Sequence, residues 1–201
     1  MIVSTAFEPI NGVSYYPAVV DDSLCERVKT ALMDANAHSG ADILIEGVRH
    51  PAPRLVSSFS DTVLGLEGME SSRTWTPELA ELRDLVASVF SLNFNYALAN
   101  LYRNGDDYTG WHSDKAALHL DGSKIAIVSF GAPRRLSIRS YEYPKDAQTF
   151  TMEEGSVVVI DLGVQATHEH SVPKEENPTD PRMSITLRKL HILDEYLRQS
   201  E

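Results

Sequence analysis

The run Arg182-Met183-Ser184-Ile185-Thr186-Leu187-Arg188 alternates polar and apolar side chains without a break. Successive side chains of a strand point to opposite faces, so Met183, Ile185 and Leu187 share one face and the polar members share the other. The strand, read as Met183–Leu190, turns its apolar face outward against helices and its polar face into the body of the protein. A solvent-facing amphipathic strand would show the same alternation, so the neighbouring segments must decide. If the polar face is interior, its arginines need carboxylate or phosphate partners, because an unpaired buried charge is costly. Guanidinium offers a planar fork that matches a carboxylate bidentately.

Working back from this strand, short β-rich runs recur at Asn95–Tyr102, Lys124–Phe130, Leu136–Arg139, Thr149–Met152 and Ser156–Asp161. Turn-forming clusters such as Asn104-Gly105-Asp106 and Asp121-Gly122-Ser123 separate them. Six such runs leave no room for intervening helices, which excludes a parallel α/β sheet and predicts a sandwich, barrel or jelly roll. Upstream the period changes. Ser23-Leu24-Cys25-Glu26 reads as a capping box, followed by Leu24, Val28, Ala31 and Leu32 on one helical face to about Ala37. Thr76 and Pro77 read as the N-cap and first position of a second helix with the stripe Leu79, Leu82, Val86 and Val89. Residues 38–74 read as loops with short strands at Ile43–Ile45 and Leu55–Phe59. The expected fold is mainly β with flanking helices (α+β), the two N-terminal helices packed on one sheet. A single domain, 1–201, divides into an N-terminal extension over 1–90 and a β core over 91–195.

Composition bounds the function. The 201 residues include one cysteine, Cys25, which excludes an intramolecular disulfide framework and an all-cysteine zinc site. No stretch reads as a signal peptide or a membrane span, so the expectation is a soluble, intracellular monomer, cytoplasmic or nuclear. Eighteen basic against 29 acidic residues give a net charge of −11, opposite to the usual footprint of a nucleic-acid binder. Two local clusters run against that balance: Arg49-His50 with Arg54, and Arg134-Arg135 with Arg139.

His112-Ser113-Asp114 is an H-x-D, and on extended backbone its imidazole and carboxylate reach the same side. A second imidazole follows at His168 or His170, just past the strand Ser156–Asp161. Two imidazoles and one carboxylate on one face of a metal leave open positions opposite, as in non-haem Fe(II) oxygenases. A zinc hydrolase or a cupin-type site can draw on the same residues. The arginine-bearing strand favours the oxygenase, since 2-oxoglutarate chelates iron at its keto-acid end and offers its distal carboxylate to an arginine.

In order, Asn100-Leu101-Tyr102, Trp111-His112-Ser113-Asp114, Ser129-Phe130-Gly131, His170-Ser171-Val172-Pro173 and Pro181-Arg182 through Arg188 resemble the AlkB family of nucleic-acid dealkylating oxygenases. Upstream, Pro53-Arg54, Ser58-Phe59-Ser60-Asp61 and Trp75-Thr76-Pro77 extend the resemblance over most of residues 15–190. It implies a double-stranded β-helix, a jelly roll, with iron at one open end. It implies His112, Asp114 and His170 as Fe(II) ligands, choosing His170 over His168 by the Ser-Val-Pro that follows. It implies Arg182 on the distal carboxylate of 2-oxoglutarate, with Asn100, Tyr102, Thr186 and Arg188 around the rest, and O2 as the other co-substrate. Arg54 and Phe59 would lie in the lid over the substrate base. The implied reaction oxidises an N-methyl group in single-stranded DNA or RNA and releases it as formaldehyde, with succinate and CO2.

The sequence departs from the family pattern at three places. Ala116 stands where dealkylases commonly carry an acidic residue that reads the alkylated base. Glu46 stands where the duplex-specific homologue has an apolar wedge, and a carboxylate is a poor intercalator. Ser184 replaces the usual Asn of the final strand. A 2-oxoglutarate oxygenase with another substrate (a different modified base, a free nucleotide or a protein side chain) is the alternative, and a non-catalytic jelly-roll binding module the third reading.

Overall fold

The computed structural model describes residues 7–34, 39–45, 48–62, 72–114, 119–176 and 180–191, without the side chains of 34–51. Glu46 and Ala116 lie outside the described residues, as do the side chains of Arg49 and His50.

Two antiparallel sheets face each other. The larger runs β1 (Phe7–Ile10), β2 (Val13–Tyr16), β10 (Val157–Asp161), β7 (Lys124–Gly131), β12 (Arg182–Arg188), β5 (Tyr96–Tyr102), β4 (Val48–Ser60) and β3 (Ser39–Ile45), in that spatial order. The smaller runs β6 (Thr109–His112), β11 (His168–Val172), β8 (Arg134–Ser140) and β9 (Gln148–Met152). Helices α1 (Asp22–Asp34) and α2 (Pro77–Phe90) cover the outer face of the large sheet. This is the expected jelly roll with two helices on one sheet.

The pleat sorts the core into two layers. Met183, Ile185 and Leu187 of β12 join Ala97, Ala99, Ala126 and Val128 beneath Leu24, Val28 and Leu32 of α1 and Leu79, Leu82 and Val86 of α2. Alternate residues point the other way: Ile125 and Ile127 of β7 and Val158 and Ile160 of β10 meet Leu136, Ile138, Phe150 and Met152 between the sheets. Each fully buried aliphatic side chain contributes about 2 kcal/mol. The small residues Ala97, Ala99 and Ala126 let the helices approach the sheet closely.

Thr76 caps α2 as its sequence predicts, its side chain accepting from Leu79 N at 3.3 Å, with Pro77 in the first turn. The first helix starts differently. Leu24 N donates to Asp21 Oδ1 at 2.8 Å, so Asp21 is the cap and Ser23 lies inside the helix. Residues 38–74 hold more strand than expected, since β4 runs thirteen residues and pairs with both β3 and β5. The N-terminal segment thereby supplies four strands of the large sheet. At the other edge of the site, Gly131 has φ +77, and a Cβ there would sit 2.6 Å from Pro181 O. That close approach draws the start of β12 against the end of β7. Among the described residues no helix is long and apolar enough to cross a membrane.

Candidate active site

The polar face of β12 opens on a cavity of about 50 Å³ between the sheets. Arg182, Ser184, Thr186 and Arg188 line it together with Arg54, Asn100, Tyr102, His112, Asp114 and His170. Leu98, Ile127, Leu136 and Val172 complete its wall with apolar surface. The alternation of one strand has thus been joined by the polar residues that the sequence singles out on four other strands and a loop.

His112 closes β6 and stands opposite His170 of β11 in the ladder, their ring centroids 4.3 Å apart. His112 Nδ1 lies 2.9 Å from Gly110 O. A carbonyl only accepts, so Nδ1 carries the proton and Nε2 keeps its lone pair for a metal. Burial depresses the pKa of both imidazoles, that of His170 to about 3 with a further push from His112, so both are neutral at pH 7. Asp114 follows β6 and is held by its backbone, whose N–H donates to Gln165 Oε1 at 2.8 Å. Burial raises its carboxyl pKa, but the Arg188 guanidinium and the nearby histidines outweigh that and hold it below the ordinary value. Arg188 Nη2 takes Asp114 Oδ1, while Asp114 Oδ2 is buried with no hydrogen-bond partner.

Two neutral imidazoles and an ionised carboxylate with a free buried oxygen fit a hard-to-borderline divalent ion. The donors are not closed around a point: among the described residues no three His, Cys, Asp or Glu groups stand at metal-holding distance. The arginine on Asp114 occupies one of its oxygens. His168 shares the face of His170 but bonds Thr167 Oγ1 through Nδ1 at 2.8 Å, one rung further out against Ser140.

At the opposite end of the cavity Arg182 is 1% exposed. Its Nε donates to Ser129 Oγ at 3.1 Å, its Nη2 approaches Met152 Sδ at 3.7 Å, and its Nη1 has no partner. The guanidinium lies 5.0 Å from the Tyr102 ring centroid, and Tyr102 bonds Thr109 through its hydroxyl at 2.9 Å. Burial first, and the neighbouring Arg134 cation as well, lower the Arg182 pKa to about 10. No carboxylate of the described chain neutralises it. A cation this buried without a counter-charge is a place built for an anion.

Residues 48–188 match the 2OG-Fe(II) oxygenase superfamily. Over 192 residues the chain is 27% identical to human alpha-ketoglutarate-dependent dioxygenase alkB homolog 3, covering 90% of this chain and 67% of that protein. Over 160 residues it is 31% identical to the DNA oxidative demethylase ALKBH2 of Bos taurus, covering 75% and 58%. The mouse ALKBH2 is 30% identical over 160 residues, covering 75% and 67%. The chain belongs to the AlkB family of 2OG-Fe(II) oxygenases. The fold agrees: the solved structure of OsALKBH1 superposes with a TM-score of 0.67 at 14% identity, covering 92% of this chain and all of that one. A 2OG-Fe(II) oxygenase family structure from Burkholderia pseudomallei gives 0.60 at 16% identity, covering 88% and 84%. This AlkB-family member is a 2-oxoglutarate-dependent dioxygenase, of a family whose chemistry uses Fe(II), 2-oxoglutarate and O2.

One sequence expectation is corrected. Phe59 does not border the cavity: it is 2% exposed and packs with Leu79, Leu82 and Leu101 in the helix-facing layer. Phe59 is two residues from Ser57 and five from Arg54, so the pleat sends it to the face opposite Arg54. Arg54 itself lines the cavity, its Nε donating to Asn100 Oδ1 at 2.8 Å. The second basic cluster is consumed internally. Arg134 is 2% exposed and donates to Asn104 O, Asp107 O and Pro173 O, while Arg135 pairs with Glu175 and Arg139 with Glu169. Sequence reading missed Gln165 as the partner of the Asp114 backbone, because it sits in no recognisable spacing, and it placed Ser129 in a motif without assigning it to Arg182.

Proposed function

We propose that this AlkB-family oxygenase removes N-linked alkyl groups from bases of single-stranded DNA or RNA. His112, Asp114 and His170 would hold Fe(II). Arg182 would receive the distal carboxylate of 2-oxoglutarate, with Asn100, Tyr102, Thr186 and Arg188 along its length. The observation that carries the co-substrate assignment is the uncompensated Arg182 guanidinium at the floor of a cavity whose other end presents two neutral imidazoles. Fe(II) held by these residues would supply the activation of O2.

The overall stoichiometry balances. One oxygen atom of O2 enters succinate as 2-oxoglutarate loses CO2, and the other is inserted into a C–H bond of the N-methyl group. The resulting hemiaminal breaks its C–N bond, returning a proton to the base nitrogen and releasing formaldehyde. The protein's own contribution is placement and dryness. The Gly110 carbonyl fixes the His112 tautomer, Gln165 fixes the Asp114 backbone, and the apolar wall of Leu98, Ile127, Leu136 and Val172 limits water. A stacked, paired base cannot enter such a cavity, so the substrate must be single-stranded or flipped. Two relatives are named DNA oxidative demethylases, which supports a nucleic-acid substrate. We take the N-terminal residues 1–90, which bring Arg54 to the cavity, as the substrate lid, residues 91–195 as the catalytic core, and the monomer as the working form.

The test is an anaerobically iron-loaded sample given air, 2-oxoglutarate and a panel of methylated oligonucleotides. Succinate and formaldehyde in equal amounts, with the unmodified base as product, are expected. Succinate with no base product would move the assignment to a different substrate.

A further inference from the structure

Strand residues an odd number apart point to opposite faces, yet Thr109 and His112 both line the cavity. The ladder shows how. Val172 stands opposite Thr109 and His170 opposite His112, so Gly110 and Trp111 together oppose Ser171 alone. This is a β-bulge, and its extra residue returns His112 to the cavity face. Trp111 turns outward instead, exposed, with the Arg139 guanidinium 4.0 Å from its ring centroid. Within the same bulge Gly110 O meets His112 Nδ1 at 2.9 Å. A slip of one residue would send His112 to the outer face. β6 has only four residues with which to resist it.

The restraint lies at the other end of the strand pair. Asp107 comes two residues before Thr109, and Pro173 directly follows Val172. Arg134, the first residue of β8, donates from Nη2 to Asp107 O at 2.8 Å and to Pro173 O at 2.7 Å. Its Nη1 donates to Asn104 O at 3.1 Å. One nitrogen thus ties the chain entering β6 to the chain leaving β11. The guanidinium also lies 5.3 Å from the Tyr102 ring centroid, and the Tyr102 hydroxyl meets Thr109 Oγ1 at 2.9 Å. A planar fork of fixed donors can serve three carbonyls on two segments, which an ammonium on a flexible stem cannot do in one geometry. Resting on the reading of His112 and His170 as iron ligands, we propose that Arg134 is a positioning residue of the oxygenase. Its guanidinium fixes the register of the β6–β11 bulge and so keeps His112 facing His170 across the cavity. A cation only 2% exposed is costly to bury, and its return here is one specified arrangement of the two strands.

The test compares wild type with Arg134→Lys and Arg134→Gln. On metal-free protein with isotope-labelled histidine, NMR reads which His112 nitrogen carries the proton, the signal being assigned by its loss in His112→Gln. Wild type should show the Nδ1–H form that Gly110 O selects. Both variants should shift toward the Nε2–H form that an unconstrained imidazole prefers, with thermal melting showing them folded. Anaerobic Fe(II) titration should find affinity weakened about 10–100-fold in both. A general loss of stability would leave the tautomer of the folded protein as it was, so the first readout separates positioning from mere support. Arg134→Lys keeps the buried charge and carries the comparison if the glutamine variant does not fold. An unchanged tautomer, or unchanged Fe(II) affinity, in folded Arg134→Lys overturns the proposal and leaves the iron site intact. Wild type that binds no Fe(II) overturns the reading of the site instead, and a tautomer shift in Arg134→Lys then supports the register claim alone.

Discussion

Arg188 Nη2 lies 2.5 Å from Asp114 Oδ1, joining the last residue of β12 to the second residue past β6. Both side chains are nearly buried, at 14% and 8% exposure. The pair is what keeps Asp114 ionised against the desolvation it suffers there.

Removing the cation should therefore be felt in stability as well as chemistry. Arg188→Met leaves a buried carboxylate without its partner, and urea unfolding should show a loss of about 3 kcal/mol at pH 7. The sign of the pH dependence follows. Asp114 has a depressed pKa in the folded state, so its stabilising contribution is present above the ordinary carboxyl value of 3.8 and is lost as pH falls through the folded value. In the variant the folded pKa rises, and the remaining stability should increase, relative to wild type, on acidification below pH 5. A variant with unchanged unfolding at both pH values would show that the ion pair is incidental.

His119 offers a second pH test. It is 5% exposed, its Nδ1 has no partner, and burial, with Arg188 adding to it, lowers its pKa to about 4. An unfolded chain protonates this residue near 6.5. Between those values the unfolded state binds more protons, so stability should fall as pH drops from 6.5 toward 4, by up to about 1.4 kcal/mol per pH unit for each such histidine. His119→Asn should flatten the wild-type slope by that share in denaturant melts at stepped pH. An identical slope would mean that His119 is accessible to protons in the folded protein.

Neighbours on β12 should separate fold from function. Ile185 is fully buried in the helix-facing layer, so Ile185→Ala should cost about 2–5 kcal/mol. Ser184, one residue away on the cavity face, should lose under about 1 kcal/mol as Ser184→Ala, because its hydroxyl accepts only a long 3.5 Å hydrogen bond from Asn100 Nδ2. Equal losses would contradict the two-faced placement of this strand.

The same strand explains how much of the molecule was legible beforehand. Period-two alternation in residues 182–188 and the capped apolar stripe of α2 are local signals, and both survive in the structure because burial follows them directly. The edge strand β1, its neighbour β2 and the short β6 and β11 carry weaker signals. β11 is His-Glu-His-Ser-Val, whose alternation is of polar residues, and β6 is four residues long. β2 owes its strand character to pairing with β10, β11 to pairing with β8, and β6 to pairing with β11, partners that no local window contains. Asp21 displaced Ser23 as the α1 cap for a similar reason: the chain turns one residue pair earlier, where Val19 and Val20 N–H groups bond Gly155 O. Within the cavity, His112, Asp114 and the arginines of β12 stood out by local spacing, while His170 was separated from His168 only by the family resemblance. The place of Phe59 was not readable, since it required the register of β4 against β5.

Under the proposed function, Arg182 seats one end of a diacid whose other end meets a metal held by His112, Asp114 and His170. Anaerobic calorimetric titration of 2-oxoglutarate into the Fe(II)-loaded protein, with the visible charge-transfer absorption followed in parallel, measures both halves of that arrangement. Wild type should bind saturably and develop the band. Arg182→Lys should weaken 2-oxoglutarate on the order of a hundredfold while Fe(II) affinity is kept, because lysine lacks the bidentate fork. His170→Ala should lose the iron itself. Undiminished 2-oxoglutarate affinity in Arg182→Lys, or full Fe(II) binding in His170→Ala, would contradict it.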